Sequence, residues 1–118
     1  RLIMERVHEG RFKAQMDCKI YKEAALSKKQ VMELRKAADR HFNHFTIRIS
    51  KKHPELTRTD IDYCCLYLLG LSDADVSALM QRAYNTVNER NSKLRRIFGS
   101  DNVISITLQS IANGVASN

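Results

Sequence analysis

Few side chains in this chain stand in an arrangement that could catalyse a reaction or hold a ligand. There is no nucleophile beside a base, no pair of carboxylates at working distance and no glycine-rich loop to cradle a phosphate, so the chain reads as a binding protein, not an enzyme. His41 and His44 stand three residues apart, a spacing that two metal ligands on one helix can share, but no carboxylate or cysteine joins them. They read as packing or surface residues, and neither metal nor cofactor is expected. Cys18, Cys64 and Cys65 also lack a metal spacing; their odd number and missing framework point to reduced thiols. What remains is one run of cationic and hydrogen-bonding side chains: Asn85, Thr86, Asn88, Glu89, Arg90, Ser92, Lys93, Arg95 and Arg96. Its chemistry is that of binding an extended anion.

The charge around this run is uneven. Residues 57–81 carry one basic and four acidic side chains, whereas residues 82–98 carry five basic and one acidic. The formal net charge of the 118 residues is +7, a balance that suits a polyanionic partner. Hydrophobic residues make up 43% and charged residues 28%, with one proline and four glycines to interrupt helices, as in a helical domain with one modest core. No apolar run is long enough for a membrane helix and no signal peptide is visible. The expected location is cytoplasmic. Because the first residue is Arg1, the chain is read as part of a longer regulator with an upstream sensor or membrane-tethered segment.

The elements that must position the run are helical, and the expected fold is all-α. Residues 2–24 carry Leu2, Ile3, Val7, Ala14, Cys18 and Tyr21 in helical register. Ser27 with Gln30 forms a capping-box signature, and Val31, Leu34, Ala38, Phe42, Phe45 and Ile49 continue as one apolar stripe to about Ser50. Pro54 ends this second long helix. Thr57 caps a third, with Ile61, Cys64, Cys65, Leu68 and Leu69 inward and Gly70 as the terminating residue. Ser72 or Asp73 caps a short helix over about 74–80, a turn covers about 81–83, and a fifth helix runs from about Tyr84 to Ile97, stopped by Gly99. Ser100 or Asp101 caps a last segment, Val103–Ala112. Its β-branched residues suit a strand, but with no partner strand evident the expectation is helix. The domain reading is therefore a helical connector or dimerisation segment over 1–54 and a four-helix domain over 55–118.

The short helix, turn and fifth helix have the spacing of a helix-turn-helix. Ser77 is the small residue where the second helix crosses, Met80 closes the angle, and Val87 and Leu94 face inward. That leaves Asn88, Glu89, Ser92 and Arg96 largely outward. The set Leu56-Thr57, Asp60, Gly70-Leu71-Ser72, Val76, Met80, Thr86-Val87, Leu94, Arg95-Arg96 and Gly99 resembles the LuxR-type (NarL/FixJ-like) helix-turn-helix of bacterial transcription regulators, without a gap from Gly70 to Gly99. The resemblance covers about residues 55–112. It implies double-stranded DNA as partner, base-edge contacts from Asn88, Glu89 and Ser92, and phosphate contacts from Asn85, Thr86, Arg90, Lys93 and Arg96. It also implies homodimers on paired half-sites.

Three departures bear on that reading. Arg82 stands in the turn where the family has an apolar residue, Ala83 where it has a Ser or Thr cap, and Asn88 where it often has Lys. Asn pairs with adenine and Glu accepts from cytosine N4, but Glu89 also repels phosphate. Arg82, Ala83 and Glu89 support the alternative, a degenerate helix-turn-helix that contacts another protein. A dimer stalk is one expectation for the helices before Pro54, because their Phe42, Phe45 and Ile49 stripe must bury against something; completion of a single core is the other.

Overall fold

The computed structural model describes residues 25–114. Six helices account for them: α1 (Lys28–His41), α2 (Phe45–Lys52), α3 (Arg58–Leu68), α4 (Asp73–Met80), α5 (Tyr84–Phe98) and α6 (Ile104–Ala112), with no strand among the described residues. The expected helix over 2–24 lies outside them. None of the described helices is long and apolar enough to cross a membrane.

Three starts are written in the sequence as Ser or Thr followed three residues later by a side chain that reaches back. The Ser27 hydroxyl accepts from the Gln30 amide at 3.1 Å while Gln30 accepts from the Ser27 amide at 2.9 Å. Thr57 with Asp60 does the same for α3, and Ser72 with Asp75 for α4. Each box satisfies two amides that a bare helix end leaves unpaired. Ser72, not Asp73, is thus the cap of α4. At the other end of α5, Gly99 adopts φ +63°, with the Ser100 amide donating to the Arg95 carbonyl and the Gly99 amide to the Arg96 carbonyl. That is the left-handed glycine stop expected there. The last helix starts after Val103, without a side-chain cap, so neither Ser100 nor Asp101 caps it; Ser100 instead bonds Thr107.

The long helix expected over 27–50 is instead two helices, because the chain turns through Asn43 (φ 53°) and His44 (φ 61°). Asn and His are among the non-glycine residues that enter this left-handed region most readily. The turn is locked by Asp39, whose carboxylate accepts from both the amide and the hydroxyl of Thr46 at 2.7 Å, capping α2 from the body of α1. Arg48 closes it from the other side. Its guanidinium donates to the carbonyls of Phe42 and Asn43 at the end of α1, and to those of Ile111 and Ala112 at the end of α6.

The corner lets the apolar stripe bury within the chain. Leu34, Ala38, Phe45 and Ile49 join Leu56, Cys64, Cys65, Leu68, Leu79, Val87, Leu94, Ile104 and Leu108 in a single buried cluster. Most of the stripe is thus covered within the chain, with Val31 and Phe42 half-buried at its edge. α3 is the central element: Asp60 and every residue from Asp62 to Leu68 are buried, with α1, α2, α4 and α6 packed around it. Arg35 of α1 pairs with Asp62 of α3. Between α1 and α3 an apolar groove of about 400 Å³ stays open, lined by Leu34, Ala37, Phe42, Cys65 and Leu69 among others.

Candidate nucleic-acid interface

α4 and α5 meet across Gln81, Arg82 and Ala83. Gln81 takes the left-handed conformation (φ 55°, ψ 51°) and ends α4. Ser77 holds the turn: its carbonyl accepts from the Gln81 and Arg82 amides, and its hydroxyl donates to the Arg82 carbonyl. A larger side chain at 77 would have to fit where the two helices converge. Ala83 begins α5 with no side-chain cap. Val87 and Leu94 are fully buried, while Asn85, Thr86, Asn88, Glu89, Arg95 and Arg96 are exposed and Ser92 is half-buried. Asn88 and Ser92 are four residues apart and Glu89 and Ser92 three, so the three expected base-reading positions share one side of the helix.

Arg90 and Lys93 are placed differently from Arg95 and Arg96. Both reach back to Asp60 at the first turn of α3, Arg90 to Oδ1 and Lys93 to Oδ2 at 2.8 Å. The Arg90 guanidinium also lies over the Tyr63 ring, 4.8 Å from its centre, a cation–π contact. The Asp60 carboxylate has no solvent exposure. Burial by itself raises its pKa, but hydrogen bonds from Lys93, the Thr57 amide and Arg90 outweigh that effect and hold the carboxyl below its ordinary value. Two of the five expected phosphate contacts are therefore already neutralised in part by a buried anion. Their side chains stay 25% and 41% exposed, so each keeps a face to solvent.

A second carboxylate grips α5 from α4. Asp73 Oδ1 accepts from the Tyr67 hydroxyl and from Asn91 Nδ2, both at 2.7 Å, and Oδ2 accepts from Asn88 Nδ2 at 3.2 Å. Burial, and then the bond to Asp73, push the Tyr67 phenol well above its ordinary value, so it remains a donor. Asp60, Tyr63, Asp73 and Asn91 were not picked out as site residues from the sequence. Asp60 stood in the sequence as part of the family resemblance, and the acidic excess of 57–81 against the basic excess of 82–98 was a second trace, which the fold turns into specific pairs. At the C-terminal end of α5, Ser92, Arg95, Arg96, Gly99, Ser100 and Asp101 line an open depression of about 480 Å³.

Comparison with known protein families, with curated proteins and with solved structures finds no match to this chain.

Proposed function

We propose that this chain is the DNA-binding output part of a bacterial transcription regulator, working in the cytoplasm without catalysis or cofactor, with α5 entering the major groove of double-stranded DNA. What carries the reading is the α4–turn–α5 unit: Val87 and Leu94 anchor α5 in the core while its Asn85, Thr86, Asn88, Glu89 and Arg96 face is free. Asn88, Glu89 and Ser92 would meet base edges. Asn85, Thr86 and Arg96, joined by the solvent-facing sides of Arg90 and Lys93, would meet phosphates. Homodimers on paired half-sites fit this role, although most of the apolar stripe of α1 and α2 is covered internally.

The test is a fluorescence-anisotropy titration of duplex DNA at several salt concentrations. Each neutralised phosphate adds about 0.9 to the slope of log K against log salt. Arg95→Glu with Arg96→Glu is expected to weaken binding at least tenfold, with only the small loss of thermal stability that two reversed charges at a helix C-terminus bring. These two are better reporters than Lys93, whose reversal would set a second carboxylate against buried Asp60. Absence of salt-sensitive binding to any duplex refutes the proposal. A second reading, a helix-turn-helix that docks on a protein, is favoured by exposed Glu89 and by the sequestration of Arg90 and Lys93 on Asp60; it predicts a partner captured by α5 and no duplex binding.

A further inference from the structure

Resting on the DNA reading above, we infer that Asp73 is a positioning residue that makes Asn88 a reader of adenine. A carboxylate accepts hydrogen bonds and cannot donate them. The Asn88 amide must therefore turn its NH2 group, not its oxygen, toward Asp73 Oδ2, where Nδ2 lies at 3.2 Å. One N–H is committed to the carboxylate. With the N–H anti to Oδ1 given to the carboxylate, the other N–H and Oδ1 stand side by side on the exposed surface of α5.

That pair is one donor beside one acceptor. Adenine presents its complement in the major groove, the N7 acceptor beside the N6 amino donor. Guanine presents two acceptors, N7 and O6, and asks for two donors, of which Asn88 has one left. An unheld asparagine can rotate to offer either face, whereas this one is fixed. Asp73 is itself fixed: Oδ1 is occupied by Tyr67 and Asn91, and the residue sits in the first turn of α4 directly after the Ser72 cap. The specificity therefore belongs to a residue that need not touch DNA, acting across the helix-turn-helix from its first helix to its second.

The experiment selects bound duplexes from a randomised pool with the full chain. Anisotropy is then measured for duplexes differing by A·T against G·C at each enriched position. The wild type is expected to prefer adenine by about tenfold at one position, a preference abolished in Asn88→Ala. Asp73→Ala is expected to bring guanine and adenine to within about twofold, with the salt slope unchanged, whereas Asn91→Ala, which frees only the other oxygen, keeps the preference. Thermal melts separate this from a folding defect. If Asp73→Ala does not fold, Asp73→Asn, whose single oxygen is claimed by Tyr67 and Asn91 and whose NH2 then faces Asn88, is expected to lose the preference as well, and it and the comparison of wild type with Asn88→Ala still decide. Salt-sensitive binding with no adenine preference dependent on Asn88, or with a preference that a folded Asp73→Ala preserves, overturns this inference and leaves the DNA reading standing. No duplex binding at all overturns both.

Discussion

Asp60 does two jobs with one carboxylate. It completes the capping box of α3 and it neutralises Arg90 and Lys93 of α5, 30 and 33 residues further along. Replacing it with Ala removes a cap and two charge-assisted bonds; because both cations keep solvent contact, the expected destabilisation is about 2–3 kcal/mol rather than the larger penalty of a stranded buried charge. Urea titration of the variant measures it. The folded carboxyl is held below its unfolded value, so its contribution is present above the unfolded pKa of about 4 and is lost as pH falls through the folded one. The gap in stability between wild type and Asp60→Asn is accordingly expected to be full at pH 7 and to narrow below about pH 4. At this scale the Thr57 cap of α3 was legible as a local device, whereas the reach of Asp60 back to the Thr57 amide was found only in the structure. The ion pairs to Arg90 and Lys93 were not legible, because they depend on how α3 and α5 are brought together.

Among the elements, legibility followed local chemistry. The starts at Ser27, Thr57 and Ser72 and the stop at Gly99 are short-range devices and could be read directly. The corner at Asn43–His44 could not, because the apolar spacing from Ala38 through Phe42 and Phe45 to Ile49 runs across it without a break. Neither glycine nor proline marks it, and the residues that lock it, Asp39 and Arg48, look like ordinary polar-face positions. Helix α5, like α6, starts without a side-chain cap, since Ala83 offers no side chain to its first amides. Ala83→Ser is therefore expected to raise stability by about 1 kcal/mol, read as a higher urea midpoint with an unchanged m-value. Loss of stability would mean that the backbone at 83 cannot bring a hydroxyl onto the α5 amides.

On the scale of the whole molecule, α1 and α2 share their core with α3–α6, so the turn near Pro54 is a bend within one packed unit for the residues described. Cys64 and Cys65 report on that unit. Both thiols are buried, and burial pushes Cys65 up to about 12 and Cys64 well up as well. In a Cys18→Ser background, modification by a thiol reagent near pH 8 is expected only at the rate of global opening, and the two thiols should become reactive together. Rapid labelling of the native protein would show that α3 opens by itself. The arginine at the α1–α2 corner has a kinetic meaning besides its structural one. Arg48 binds the end of α6 at 63 residues' remove along the chain, a closure whose entropy is recovered only after both helices are in place. Such a clasp is expected to form late, on the native side of the folding barrier. Arg48→Met should steepen no refolding limb and slow no folding, but should speed unfolding several-fold in stopped-flow chevrons: the side chain sets how long the molecule stays folded, not how fast it gets there.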